Sequence, residues 1–234
     1  MSAPAADYRY VGSELEIFAL AENWKRYLRA QMAPYFGAEV LEVGAGMGAT
    51  TRALCGDGVR RWVCLEPDAD LAGRIDLASL PAACQVRRGT VADLDAGERF
   101  DAILYVDVLE HVDDDRAELA AAARHLRDGG RLIVLAPAHA WLFTPFDERI
   151  GHRRRYTRRA LTAAAPPELR LERCRYLDSV GLLASLGNRL LLRRAMPSRE
   201  QILFWDRFMT TLSRRLDPLT GWRVGKSVLG IWTR

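Results

Sequence analysis

The chain has 234 residues, 49% of them hydrophobic, and a formal net charge of +4, which is enough apolar material for one sizeable core. No stretch of about 18 uncharged apolar residues occurs, and the start MSAPAADYRY lacks the basic opening and apolar run of a signal peptide. Cys55, Cys64, Cys84 and Cys174 form no CxxC pair or other metal spacing and read as reduced core thiols, so the expectation is a soluble, cytoplasmic protein that can still touch the inner face of a membrane peripherally.

Leu15, Phe18, Ala19, Trp24, Tyr27 and Leu28 predict an N-terminal helix over 13–36, with Gly37 as its stop. Short apolar runs then predict strands at 39–43, 61–66, 84–89, 100–106 and 131–137. Helical patterns at 50–56, 68–77 and 114–126 alternate with them, and Asp128-Gly129-Gly130 follows the last. A sixth strand falls near 169–176 and a seventh at 227–232. The alternation predicts an α/β fold: a Rossmann-like, seven-stranded, mostly parallel sheet with helices on both faces. Between the last two strands lie helices over 180–194 and 201–216, the second capped after Pro197-Ser198, with Ile202, Trp205, Met209, Leu212 and Leu216 on one stripe. The organisation expected is one domain: the N-terminal helix, a core over 38–177, a helical lid over 178–222 and a last strand over 226–233.

The stretch VLEVGAGMGATT, residues 40–51, sets Gly44, Gly46 and Gly48 between the first strand and a helix, where bare backbone and helix N-terminal amides can approach a ligand. Gly44, Gly46 and Ala49 also satisfy the nicotinamide-cofactor spacing, but Glu42 beside them would repel a pyrophosphate and suit an amine-bearing ligand. Glu66, followed by Pro67, ends the second strand, where a carboxylate can accept from two ribose hydroxyls.

Two clusters follow later strands. Asp107, Glu110 and His111 in DVLEH are spaced to share one side of a helical turn, and TPFDERIGHRRRYT brings Asp147, His152, Arg155 and Tyr156. Loops at the carboxyl ends of parallel strands converge, so the clusters should be neighbours. Two chemistries stay open. His152 or His111 is a general base whose ring Asp147 or Glu110 orients, with Tyr156 a further catalytic candidate; or the acids and histidines hold a divalent ion. Arg153 and Arg155 suit bidentate recognition of phosphate or carboxylate on a substrate. His125 and His139 read as structural.

In order and spacing, VLEVGAGMGATT, CLEPD, RFDAILYVDVLEHVDD and LRDGGRLIVLAP resemble the successive motifs of class I S-adenosylmethionine-dependent methyltransferases. The resemblance implies S-adenosyl-L-methionine as cofactor. Gly44, Ala45, Gly46 and Gly48 would shape its methionyl pocket, Glu42 would lie by its amino group, and Glu66 and Pro67 would lie at the ribose. The Val91 backbone would reach the adenine, and Val106 and Asp107 would border the sulfonium. The family's usual adenine-binding acid is replaced by Gly89-Thr90-Val91, with Asp93 as a substitute.

Asp107, Glu110, His111 and His152 resemble the metal set of small-RNA 2′-O-methyltransferases and, in part, of ubiquinone-pathway O-methyltransferases, with Asp107 where those have Glu. That implies Mg²⁺ or Mn²⁺. FDERIGHRRRYTRRAL, YLDSVGLLASLGNRLLL and SREQILFWDRF are similar to a bacterial subgroup linked to lipid-linked-sugar glycosyltransferases.

The function implied is O-methylation of a small-molecule or lipid-linked, phosphate-bearing acceptor, with peripheral membrane contact through the basic-edged lid. No nucleic-acid partner is expected, since the fourth motif has no Asn/Asp-Pro-Pro-aromatic loop, and the oligomeric state is left open. The alternatives are a nicotinamide-dependent oxidoreductase, disfavoured by Glu42 and the lack of a Tyr-x-x-x-Lys set, and a non-catalytic cofactor-binding protein docking on a membrane complex.

Overall fold

Near-continuous apolar runs make strands that must be covered on both faces, and the computed structural model, which describes residues 8–12, 14–187 and 197–234, arranges them so. The strands are β1 (Glu39–Val43), β2 (Arg61–Glu66), β3 (Cys84–Arg88), β4 (Phe100–Val106), β5 (Leu126–Pro137), β6 (Arg170–Leu177) and β7 (Ser227–Thr233). They form one sheet in the order β3-β2-β1-β4-β5-β7-β6. Strands β1 to β5 pair in parallel, and β7 runs antiparallel to both its neighbours. This is the Rossmann-like, seven-stranded, mostly parallel sheet expected from the sequence.

Helices α1 (Leu15–Ala19), α2 (Glu22–Met32) and α3 (Ala49–Leu54) lie on one face, where Trp24, Leu28, Met32 and Leu54 pack on Val40, Trp62 and Leu104. After α4 (Ala69–Gly73), the other face is covered by α5 (Asp115–Arg124) and, beyond α6 (Pro145–Arg149), by α7 (Arg158–Ala164). There Leu119, Ala122 and Leu161 pack on Leu41, Ile103 and Tyr105. Between β6 and β7 come α8 (Ser179–Gly187), α9 (Arg199–Phe204) and α10 (Thr210–Leu219).

Three local expectations are corrected. The single helix over 13–36 is two, because the chain turns at Ala21 and Lys25 Nζ satisfies the carbonyls of Phe18, Ala19 and Ala21 at 3.1, 2.8 and 3.3 Å. Strand β5 starts at Leu126 rather than 131, with a bulge opposite Phe100 and Ala102 that absorbs Asp128-Gly129-Gly130. The stripe expected along 201–216 is broken by a π-helical turn at Trp205–Met209 joining α9 to α10. Its extra residue rotates the downstream face, so Leu212 is exposed and the buried positions become Asp206, Thr210, Ser213 and Asp217. Of the helix expected over 180–194, residues 188–194 lie outside the described residues.

Those buried acids tie the segment to the fold by capping helix starts. Asp206 accepts from the amides of Asn23 and Trp24 at 3.1 and 2.8 Å, at the head of α2. Asp217 accepts from the Tyr27 hydroxyl and the Asp178 amide, each at 2.7 Å, and from the Ser179 amide at 3.0 Å, at the head of α8. Among the described residues no helix is long and apolar enough to cross a membrane. The four cysteines are free thiols.

Candidate functional site

The connections leaving β1 and β4 diverge where the strand order reverses, and at the carboxyl ends of such strands a crevice opens. Here it is a cavity of about 530 Å³ lined by Gly44, Ala45, Gly46, Glu66, Pro67 and Asp107 among others. Gly44, Gly46 and Gly48 have φ of +69°, +56° and +76°, a region that costs other residues strain. A Cβ on Gly44 would come within 2.6 Å of Val108, whereas one on Gly46 would meet nothing nearer than Leu15 at 3.8 Å. The Gly46 amide donates to Glu66 Oε2 at 2.8 Å and the Asp68 amide to Oε1 at 3.0 Å, which aims the Glu66 carboxylate into the hollow. Burial pushes Glu66 up to about 7 despite these bonds.

Glu42 is not among the residues that line the cavity. Side chains alternate along β1, so it shares the face of Val40, under α3, and accepts from Thr51 Oγ1 at 2.6 Å and Trp62 Nε1 at 2.8 Å. Burial raises it to about 7. Val91 has its side chain in the core, leaving Gly89 and Thr90 to line the hollow. Asp93 closes its own turn by accepting from the Thr90 amide and hydroxyl, both at 2.8 Å, and is not turned to a ligand. Asp107 opens onto the cavity from a left-handed position (φ +54°). The surrounding protein raises its carboxyl to about 6, against the pull of His152, Lys226 and Arg155.

The two clusters do meet. His152 Nδ1 donates to Asp147 Oδ1 at 2.8 Å, and Arg155 grips the same carboxylate with Nε at 2.8 Å and Nη2 at 3.0 Å. Asp147 is fully buried, and burial alone would raise it, but these bonds hold it down at about 2. His152 Nε2 is left facing Glu110 Oε1 at 3.5 Å. Glu110 is fully buried with neither oxygen hydrogen-bonded; burial and Asp107 push it well above the usual carboxylate range. The His111 ring packs edge-on to His152 at 4.7 Å, and burial followed by that neighbour lowers it to about 4.

Glu110, His111 and His152 each offer a ligand atom within 4.8 Å of the others, the one such trio among the described residues. Asp107 is outside it, because its left-handed backbone and the tight turn Leu109–His111 break the helical phase that the sequence suggested.

Tyr156 and the arginines already have partners, although Arg153 and Arg155 do line the cavity. The Tyr156 side chain is buried away from the cavity and donates to Asp115 Oδ2 at 2.7 Å. Arg155 is committed to Asp147, and Arg153 to Asp113 at 2.7 Å and to the His111 carbonyl at 3.0 Å. Arg154 pairs with Asp115 at 3.0 Å. A run of arginines is not an open anion clamp when an acid waits for each. His125 and His139 are structural, bonded to the carbonyls of Glu98 and Gly225, each at 3.0 Å.

Tyr8, Tyr10 and Lys226 are among the lining residues that escaped the sequence reading. Tyr8 and Tyr10 cross the mouth, the Tyr10 amide donating to Asp68 at 2.6 Å and its ring lying 5.5 Å from that of His111. Lys226 lies just before β7. Because β7 is antiparallel, its start falls at the edge where the parallel strands end, and only that topology could have flagged the lysine.

Strand order, glycine cradle and strand-end Glu66 together define the class I S-adenosylmethionine-dependent methyltransferase architecture. The family profile described as Methyltransferase domain matches residues 19–182, and the chain belongs to that family. It is 34% identical over 138 residues to a demethylmenaquinone methyltransferase of Tropheryma whipplei (strain Twist), covering 53% of this chain and 52% of that protein. To a ubiquinone biosynthesis O-methyltransferase of Xylella fastidiosa (strain 9a5c) it is 37% identical over 110 residues, 45% of this chain and 44% of that one. The chain thus spans about half the length of the curated relatives it matches. The fold is shared with an S-adenosylmethionine-dependent methyltransferase from Mesorhizobium loti, with a TM-score of 0.62 at 14% identity over 93% of this chain and all (100%) of that one. It is also shared with N-methyltransferase NodS of Bradyrhizobium japonicum WM9 in complex with S-adenosyl-L-homocysteine, with a TM-score of 0.58 at 14% identity over 92% and 88%.

Proposed function

We propose that the chain transfers the methyl group of S-adenosylmethionine to an oxygen of a small or lipid-linked acceptor, with His152 as general base. The observation that carries this is the Arg155–Asp147–His152 array on the cavity wall, which leaves His152 Nε2 without a hydrogen bond, 3.5 Å from Glu110 Oε1. A carboxylate can only accept, so Asp147 fixes the proton on Nδ1 and leaves the Nε2 lone pair for an acceptor hydroxyl. The cofactor fits the residues present: Gly46 leaves space where its amino-acid part would pass, and Glu66 keeps acceptor capacity for a ribose hydroxyl. Bound there, the sulfonium would supply the drive of transfer, leaving the protein to align the acceptor and remove its proton. The relatives named for demethylmenaquinone and ubiquinone biosynthesis favour a quinone-type acceptor. The described helices of the 178–222 segment, α8, α9 and α10, serve in this reading as the lid over it.

A second reading keeps the reaction and adds a divalent ion on Glu110, His111 and His152, with Mg²⁺ or Mn²⁺ suited to the mixed oxygen and imidazole donors. Both orphaned oxygens of buried Glu110 favour it, since a carboxylate so placed must be protonated or neutralised by a cation. Such an ion would polarise and acidify an acceptor hydroxyl.

The test is transfer from methyl-labelled S-adenosylmethionine to quinone-type and lipid extracts. His152→Gln is expected to lower the rate by about 100-fold or more while S-adenosylhomocysteine affinity is unchanged. Equal rates would remove His152 from the chemistry. Loss of rate on chelation, restored by Mg²⁺ or Mn²⁺, would select the second reading.

A further inference from the structure

Next to the cofactor cavity lies another of about 570 Å³, between α8, α9 and the loop before α6. The two adjoin at Phe18, Phe146, Arg155, Trp205 and Lys226, which line both. The second is mostly apolar, walled by Leu142, Ala184, Ile202, Phe204 and Met209. A charged lysine at its entrance is out of keeping with those walls, since stripping an ammonium of water is costly without partners.

Lys226 is held there deliberately. Its amide donates to the Asp178 carbonyl at 3.2 Å and its carbonyl accepts from the Ala138 amide at 2.8 Å, which pins it between the ends of β5 and β6. Its Nζ lies 3.8 Å over the Trp205 ring and 3.6 Å from Asp178 Oδ2. That carboxylate already accepts from Trp205 Nε1 at 2.7 Å, Ser213 Oγ at 2.6 Å and the Gly181 amide at 3.0 Å. An ammonium has three donors, and a crowded acid beyond normal hydrogen-bond length leaves some of them for a ligand. Arg155, the other cation at the junction, is committed to Asp147.

Resting on the methyltransferase reading above, we propose that the second cavity is the acceptor site and takes an amphipathic anion. Its apolar body lies between α8 and α9, its carboxylate or phosphate lies on Lys226 Nζ, and its reacting hydroxyl reaches into the cofactor cavity toward His152.

The experiment is calorimetric titration of the full chain with decanoate, decyl phosphate and decanol, each with and without saturating S-adenosylhomocysteine, which is also titrated alone. Either anion should bind about ten-fold more tightly than decanol, the worth of one charged hydrogen bond, and whichever binds better names the headgroup. Lys226→Met should erase that preference while keeping decanol affinity, Lys226→Arg should keep most of it, and Ala184→Trp should weaken all three ligands. Decanol binding as tightly as the anions, no binding of any of the three, or unchanged affinities in Ala184→Trp would overturn the proposal. So would a Lys226→Met variant that loses S-adenosylhomocysteine instead. Failure of S-adenosylhomocysteine alone, with the anions still bound, would sink the cofactor reading and leave this site standing.

Discussion

Glu42 and Glu66 look equivalent in the sequence, each an acid at a strand end beside the glycine loop, yet only Glu66 reaches the cavity. Strand alternation decides it, and a sequence shows the alternation without showing which face the ligand takes. The two therefore differ in their tests. Burial lifts Glu42 from the ordinary 4.5 to about 7, so the folded state binds its proton more tightly than the unfolded chain does. Its contribution to stability thus falls as pH climbs through that window. Glu42→Gln keeps an acceptor for Thr51 and Trp62 without the charge, and should gain up to about 3 kcal/mol over the parent at pH 8 but little at pH 4.5. Urea unfolding at the two values checks this, and a loss of S-adenosylhomocysteine affinity in the variant would return Glu42 to the cofactor.

Asp147 has the opposite sign. Held at about 2 against an ordinary 3.8, it stabilises the fold above roughly pH 4, and that stability drains as pH falls toward 2. It amounts to on the order of 2 kcal/mol, and Asp147→Asn should flatten this limb of the acid-unfolding curve. An unchanged limb would mean that the His152–Asp147–Arg155 array is looser than described.

At the scale of elements, what was legible was whatever repeats. The five parallel strands, the helix before them and the two late strands follow from runs of apolar residues between turn signals. What failed depended on a single residue's reach. Lys25 bonding back over Ala21 splits the first helix, and one extra residue in the π-helical turn leaves Asp206 in that turn, and Ser213 and Asp217 in α10, buried where leucines were expected. Buried aspartates are invisible to a hydrophobic pattern, although their partners are backbone amides at helix starts that have no other acceptor. Asp217→Ala strips the Tyr27 hydroxyl and the amides of Asp178 and Ser179 at once. A loss of about 3 kcal/mol or more is expected by chemical denaturation, and a loss under about 1 kcal/mol would show that water replaces the carboxylate readily.

Over the whole molecule, the antiparallel β7 brings Lys226 to the same edge as the loops after β1, β4 and β5, so four distant stretches of chain share one hollow. The site was half legible: the glycine loop, Glu66, His111 and His152 were readable as motifs, whereas Lys226 and the tyrosines at the mouth needed the topology. Glu66 and Asp107 line that hollow with carboxyls that burial lifts, and a cationic sulfonium or ammonium bound beside them would favour their ionised forms where a pyrophosphate would oppose them. The most direct test is calorimetric titration of the purified chain with S-adenosylmethionine, S-adenosylhomocysteine and NADH. One molecule of either of the first two should bind per chain and NADH should not. Binding of NADH, or of none of the three, would contradict the account.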